Sequence, residues 1–323
     1  MKNPVSATLQ GLWQMRAPSS SIVPLAEGER LDGRVALITG ANRGLGRAVA
    51  TRLAERGARV VLACRSGITE AAARIARESG SDQVETRHVD LADLASVDRL
   101  IAGLVSEGRK LDIVVLNAGV VPRAARPTAQ GFELMFGVNY LANVALVEGL
   151  LDAGVVVPSA DAPPRIVFVT SESHRGAGPI DLAGLGAFRP FGAMTGMRVY
   201  GYSKLLLSTY AAHLARRLGP LASVHACCPG PINSDIAREA PAWMKPLLRP
   251  VMRAFFRSPE DAAAPVVYLA GARRLDGETG SYLHVLEEKP PDDECLDVAK
   301  GDALYEKSRT LLASCRNREG KTR

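Results

Sequence analysis

The sequence predicts an α/β fold: a doubly wound parallel sheet of about seven strands, covered by helices on both faces. Two observations carry this. From Arg34 to about Val285, short runs of β-branched and apolar residues alternate with helical patterns. Repeated β-then-α units of that kind demand parallel strands joined by right-handed crossovers. The first unit, residues 34–57, also sets a glycine-rich turn, GANRGLG, between RVALIT and RAVATRLAERG.

Taken in order, RVALIT (34–39) reads as the first strand, apolar on both sides as buried parallel strands are. The helix after the turn carries Val49, Ala50 and Leu53 at helical spacing and stops near Gly57, a C-cap residue. ARVVLAC (58–64) is the second strand, followed by an Ala- and Arg-rich helix over 69–79. QVETRHVD (83–90) is the third, followed by a helix over 93–107 with Leu94, Val97, Leu100, Ile101 and Leu104 on one face. LDIVVLNAG (111–119) gives a strand and its turn, and 128–152 one long helix. RIVFVTS (165–171) precedes a helix over 198–218 that ends near Gly219-Pro220. SVHACCPG (223–230), a helix near 259–270 and SYLHV (281–285) complete the pattern. Two segments break the rhythm, the glycine-rich 174–197 and the proline-rich 231–258. Both leave a strand at its carboxyl end, where ligands sit in such sheets, so both are candidate substrate loops.

Residues 34–288 therefore form a single domain. Residues 1–33 are an N-terminal arm in which Leu9, Leu12, Trp13 and Arg16 fit one or two helical turns. Residues 289–323 are a C-terminal tail. There Leu304, Tyr305, Ser308, Leu311 and Leu312 mark the apolar face of a helix, and the basic stretch from Cys315 to Arg323 is expected to fray.

With 323 residues, 47% hydrophobic but only 5% aromatic, the chain builds a sizeable aliphatic core. The net charge is +6, but Arg and Lys are interleaved with Asp and Glu, which argues against a nucleic-acid partner. The five cysteines (64, 227, 228, 295 and 315) form no C-x-x-C and lie near no His at ligand spacing. No metal is expected, and a reducing, cytoplasmic setting fits. No run reaches the ~18 apolar residues of a membrane span, and no unbroken apolar stretch follows Met1.

The chemistry concentrates at Tyr200 and Lys204, four apart in Y-G-Y-S-K and so on one face of a helix. An ammonium beside a phenol favours phenolate, lowering a pKa that is ordinarily ~10. Such a phenol can exchange a proton with an alcohol or ketone. Taken alone, a Tyr-Lys pair at this spacing is more often a surface pair. A glycine turn spaced G-x-x-x-G-x-G, unlike the common G-x-G-x-x-G, need hold no ligand. Tyr202 has no such partner, since Leu206 stands four residues on.

Several short stretches combine to settle these readings. They are Thr39-Gly40-Ala41-Asn42-Arg43-Gly44-Leu45-Gly46, Asp90-Leu91, Asn117-Ala118-Gly119, Asn139, Ser171, Tyr200 with Lys204, and Pro229-Gly230. In this order the set resembles the short-chain dehydrogenase/reductase family. Ala63-Cys64-Arg65, Val138-Asn139-Tyr140-Leu141, Thr170-Ser171 with His174, Ser203-Lys204-Leu205 and Gly280-Ser281-Tyr282 resemble its retinol-dehydrogenase-like branch. The resemblance implies a three-layer Rossmann-like domain and roles residue by residue. Tyr200 is the implied general acid/base, and Lys204 tunes it and bonds the nicotinamide ribose. Ser171 polarises the substrate oxygen, and Asn139 holds a relay water. The glycine turn, from Gly40 through Asn42, Arg43, Gly44 and Leu45 to Gly46, is implied to cradle the cofactor phosphates. Asp90, Leu91, Asn117, Ala118 and Gly119 line its adenosine side. Pro229, Gly230, Ile232 and Ser234 meet the nicotinamide, with Ser234 where the family commonly has Thr.

The second strand ends in Ala63-Cys64-Arg65-Ser66, with no acid to bond the ribose hydroxyls of NAD. Arg65 and Arg43 can converge on a 2′-phosphate, so NADP(H) is the expected cofactor over NAD(H). The expected activity is interconversion of a ketone or aldehyde with its alcohol, on a small-molecule and lipophilic substrate. A non-catalytic NADP-binding sensor or scaffold on the same fold is the other reading, and it predicts loss of Ser, Tyr or Lys. The segment from Pro241 to Arg257 interleaves basic and apolar residues. It reads either as a lid with an apolar inner face, with peripheral membrane contact the lesser expectation, or as an ordinary surface helix. His174 could touch substrate or fix its loop. Homo-oligomerisation is left open.

Overall fold

The computed structural model describes Leu25 and residues 28–192, 195–232 and 257–321. Most of the N-terminal arm, Ser234 and nearly all of the 241–257 lid candidate lie outside the described residues. The sheet follows the order β3-β2-β1-β4-β5-β6-β7-β8. Its strands are β1 (Val35–Thr39), β2 (Arg59–Cys64), β3 (Val84–His88), β4 (Ile113–Leu116), β5 (Arg165–Val169), β6 (Ser223–Cys228), β7 (Tyr282–His284) and β8 (Glu287–Glu288). All neighbouring pairs are parallel except β7 with β8. The expected seven strands thus gain an eighth, two exposed glutamates whose sequence carries no strand signal. Only the tight return from β7 pairs them with the sheet.

Alternation along the strands divides the interior in two. Leu37, Val61, Val114, Ile166, Phe168 and Val224 face one side. Ala36, Ile38, Val60, Leu62, Val115 and Val167 face the other. The second side is covered by α1 (Gly44–Glu55), α2 (Ile68–Ser79) and α6 (Pro259–Gly271). The first is covered by α3 (Leu94–Ser106), α4 (Leu134–Asp152), α5 (Gly196–Leu218) and part of the C-terminal tail. Apolar residues on both faces of each central strand are what a sheet between two helical layers requires. At the edge, β3 is polar, and its Glu85 accepts from Arg59 and Arg109, which blunts an otherwise open edge.

The long helix expected over 128–152 begins six residues later. Pro127 and Glu133 form an antiparallel bridge, and Gly131 sits at φ +84°. The chain turns back there, and the Glu133 carboxylate then accepts from Met135 N and Phe136 N to start the helix. α4 has an α-helical turn at Leu134–Phe136, a π-helical stretch at Gly137–Leu141 and an α-helix at Ala142–Asp152. By length and a mean hydropathy of 1.5 it could cross a membrane, although Asn139, Asn143 and Glu148 interrupt its apolar run. Its window is 72% buried inside the fold, the position of a core helix.

The tail is also more ordered than expected. α7 (Asp293–Leu296) starts on Asp292, whose carboxylate accepts from Glu294 N. α8 (Val298–Lys321) is helical over Cys315–Lys321, within the stretch expected to fray. Leu304, Leu312 and Cys315 are buried, Ser308 Oγ meets Tyr140 OH at 2.7 Å, and Arg316 reaches Asp98 at 2.7 Å. These contacts anchor the helix as far as Arg316. Leu304→Ala should therefore destabilise the protein by about 2–5 kcal/mol, as a core truncation does. Urea unfolding would show it; a loss typical of a surface position would mean that the tail is not core.

Candidate active site

At the carboxyl edge of the sheet, the turn after β1 is fastened to the turn after β4. Thr39 Oγ1 accepts from the backbone N–H groups of Asn117 and Ala118, both at 3.0 Å. Asn117 Nδ2 donates to Thr39 O at 2.8 Å. The sheet order reverses between β1 and β4, and the crevice outside such a switch point is where ligands bind in open α/β sheets. Gly46 must be glycine, because a Cβ there would lie 2.4 Å from Asn117 Nδ2 and 2.5 Å from Gly40 O. Asn42 Nδ2 donates to Ser66 O at 3.0 Å, tying the glycine turn to the end of β2.

This cradle fits a phosphate. The N-terminus of α1 has no side-chain cap and no acid in its first turn. Above Gly44, whose φ is +52°, nothing lies within 4 Å of a would-be Cβ. An uncapped helix N-terminus open to solvent favours an anion. Arg65 is exposed, with Nη1 3.8 Å from Asp90 Oδ2. Asp90 Oδ1 accepts from Ala92 N, so one oxygen of that carboxylate already holds its own turn. The side chains of Leu45 and Leu91 are buried in the two cores, which leaves backbone groups as their means of meeting a cofactor. Pro229 is buried, and Ile232 bridges to Arg257.

The sequence-predicted catalytic residues converge across three elements. Ser171 follows β5, Tyr200 and Lys204 lie on the first turns of α5, and Asn139 lies in the π-helical part of α4. A Cβ built on Gly119, just past β4, would sit 3.4 Å from Asn139 Oδ1 and 3.6 Å from Lys204 Nζ. Asn139 is fully buried. Its Oδ1 accepts from Val120 N at 2.8 Å, and its Nδ2 donates to Val120 O at 3.0 Å and Ser203 Oγ at 3.1 Å. Ser203 Oγ in turn donates to Tyr200 O at 2.7 Å. Asn139 thus straps the turn after β4 to the helix that carries Tyr200.

Lys204 is 3% exposed, and its Nζ donates to Val169 O at 2.9 Å. Burial lowers its pKa to about 8. Its ammonium lies 5.8 Å from the centroid of the Tyr200 ring. Burial pushes the Tyr200 hydroxyl up to about 12, the neighbouring Cys228 adds to this, and a hydrogen bond with the Ser171 side chain pulls the other way. The expected lowering of the phenol by the lysine is therefore reversed here. Desolvation outweighs a cation that donates to the Val169 carbonyl rather than to the phenol.

Through-space contacts that the sequence does not announce complete the site. Gly201, between the two tyrosines, packs on the turn after Ser171, and a Cβ there would lie 2.5 Å from Ser173 O. Only this close approach explains a glycine inside α5, where it weakens the helix. Tyr202 OH accepts from Asp181 N at 3.0 Å and so holds the 174–197 loop. His174 is buried, with both ring nitrogens bonded to backbone groups, which favours the loop-fixing role over substrate contact. Glu172, next to Ser171, accepts from Tyr282 OH at 2.6 Å, Lys289 Nζ at 2.7 Å and Arg175 Nε at 3.1 Å. Among the described residues, no group of His, Cys, Asp and Glu could hold a metal ion, and the five cysteines are buried and unpaired.

Residues 34–181 match the model of the short chain dehydrogenase family. The chain is 38% identical over 288 residues to dehydrogenase/reductase SDR family member 13 of Bos taurus, covering 87% of this chain and 74% of that protein. It is 34% identical over 303 residues to retinol dehydrogenase 13 of Homo sapiens, covering 91% and 87%. Among solved structures it resembles the Pseudomonas aeruginosa RhlG/NADP active-site complex at 27% identity and a TM-score of 0.59, covering 80% of this chain and 96% of that one.

The Glu172 cluster sets a pH dependence. Burial alone would raise this carboxyl, but hydrogen bonds from Lys289 and Tyr282 hold it at about 2, below its ordinary 4.5. A carboxyl depressed by folding stabilises the native state fully above about 4.5, and that contribution fades as pH falls toward about 2. Glu172→Gln should cost roughly 3 kcal/mol at neutral pH, with the gap to wild type about halved at about pH 3 and closing toward about pH 2. Urea midpoints at both pH values would show a constant gap if the carboxylate's charge is not what matters.

Proposed function

The chain belongs to the short-chain dehydrogenase/reductase family, in its retinol-dehydrogenase-like branch, and we propose that it is an NADP-dependent enzyme interconverting a ketone or aldehyde with its alcohol. The observation that carries this reading is the convergence of a buried Lys204, whose ammonium lies 5.8 Å from the Tyr200 ring centroid, with Asn139 beside Gly119, at the carboxyl end of the strand that Ser171 follows.

Bound at the glycine turn, the nicotinamide cofactor supplies the hydride. The remaining steps belong to this chain's own groups. The Ser171 hydroxyl donates to the substrate oxygen and stabilises the negative charge that develops there. Tyr200, whose hydroxyl holds its proton until about pH 12, delivers that proton to the same oxygen as a general acid. Lys204, with a pKa of about 8, gains or loses a proton close to working pH and replenishes Tyr200. Asn139, whose carboxamide oxygen borders the same glycine as Lys204 Nζ, carries the relay onward through water.

NADP is favoured because β2 ends without an acid and Arg65 stands exposed beside the cradle. The resemblance to an NADP complex supports this. A lipophilic substrate is favoured because the 174–197 loop exposes Phe188, and α5 begins with an exposed Met197. The names of the similar retinol dehydrogenases point the same way.

Tyr200→Phe should lower turnover by roughly 10²–10⁴-fold while leaving NADPH binding intact. A panel of aldehydes and ketones followed by NADPH absorbance tests this; retained turnover would show that another group supplies the proton. Arg65→Asp, run on the same panel with NADPH and NADH, should shift preference toward NADH by roughly a hundredfold through like-charge repulsion. An unchanged preference would remove Arg65 from phosphate recognition.

A further inference from the structure

The turn after Ser171 is pinned to the last part of the sheet and the start of the tail by a series of contacts. Glu172 receives Tyr282 OH and Lys289 Nζ. Arg175 Nη2 donates to Pro290 O at 2.5 Å. Glu294 Oε1 accepts from Ile180 N at 2.7 Å. The contact that reaches Ser171 itself passes through His174. Asp292 N donates to His174 Nε2 at 3.0 Å, and His174 Nδ1 lies 2.7 Å from Ser171 O.

These two contacts fix the tautomer. A nitrogen that accepts from a backbone N–H carries no proton, so the ring proton is on Nδ1 and is donated to Ser171 O. The ring is 1% exposed and meets Tyr282 edge-on at 5.4 Å between centroids. Burial lowers its pKa, which keeps it neutral as this arrangement requires. Nδ1 is bonded to the Ser171 carbonyl and Nε2 to the Asp292 N–H, and neither is offered to the substrate cleft.

We propose that His174 is a positioning residue that transmits the placement of residues 289–292 to the Ser171 main chain and so sets where the Ser171 hydroxyl meets the substrate oxygen. This rests on the reading of Ser171 as the donor to the substrate oxygen. A donor out of line at that oxygen loses transition-state stabilisation without losing cofactor. His174 acts only through the serine, so its removal matters only while the serine is there.

The test is a double-mutant cycle on the full chain, with carbonyl reduction followed by NADPH absorbance. His174→Ala should lower kcat roughly tenfold, with KM and NADPH affinity within about twofold of wild type. His174→Asn keeps an N–H donor at the Nδ1 place and should recover most of that loss. His174→Gln keeps only the acceptor for Asp292 and should not. In a Ser171→Ala background, His174→Ala should cost nothing further. Equal losses in both backgrounds, or full activity of His174→Ala, would overturn the proposal. Full activity of Ser171→Ala alone would instead overturn the role of the serine, a separate failure. If His174→Ala is recovered unfolded, His174→Asn and His174→Gln in the two backgrounds decide, and equal activity of that pair overturns the proposal.

Discussion

A cation held almost wholly out of water organises this molecule. Lys204 Nζ rests on the Val169 carbonyl at the end of β5, and the elements that make the site meet around it. The fall of its pKa from 10.5 to about 8 corresponds to roughly 3 kcal/mol spent on keeping the charge buried. A folded pKa below the unfolded value makes that cost full below about 8, and it disappears only as pH rises past the ordinary lysine range. A side chain chosen for stability alone would be apolar there. The surroundings are built to tolerate it. Asn139 closes its own hydrogen bonds on Val120 and Ser203, and Thr170 Oγ1 meets Ser208 Oγ at 2.6 Å, so the nearby polar groups find partners. The same dryness raises Tyr200 and keeps its proton in place.

Much of the fold was legible in the sequence because its signals are local. Central strands such as IVVL and RIVFV are apolar on both sides, and the helices between them carry one apolar face. The glycine turn and the Tyr-Lys spacing are also local, and the structure brings them to one edge of the sheet. What escaped depends on contacts between distant residues. Nothing in Glu287-Glu288 says strand until β7 turns back beside it. The late start of α4 depends on a bridge between Pro127 and Glu133 and on the left-handed Gly131. The tail helix owes its order to Tyr140, Asp98 and the core beneath it. The pKa of Tyr200 was read from a spacing, but burial, which no spacing encodes, sets its direction. Gly201 and Ser203 sat inside the recognised motif without an assigned role, since their meaning is a contact with Ser173 and a link to Asn139.

The C-terminal region joins stability to chemistry. Val285 at φ +60° is the one non-glycine residue in the left-handed region among those described, and a β-branched side chain is costly there. It occupies the turn between β7 and β8, and its Cγ2 would lie 3.2 Å from a Cβ on Gly230. The strained turn thus abuts the Pro229-Gly230 segment, while Tyr282, Lys289 and Asp292 fasten the serine turn on the other side. Segments distant in sequence from Tyr200 therefore set the geometry in which it works, as strain and rigidity near a reaction centre commonly do.

Hydride delivery to a carbonyl carbon is the central claim, and isotope transfer tests it most directly. Wild-type protein would be mixed with NADPH deuterated at the nicotinamide C4 and a lipophilic aldehyde, and the product alcohol examined by mass spectrometry and NMR. The account predicts deuterium on the carbinol carbon of the product, at a rate that falls with loss of the Tyr200 hydroxyl. Tight NADPH binding with no deuterium in any alcohol, across aldehydes and ketones, would contradict it.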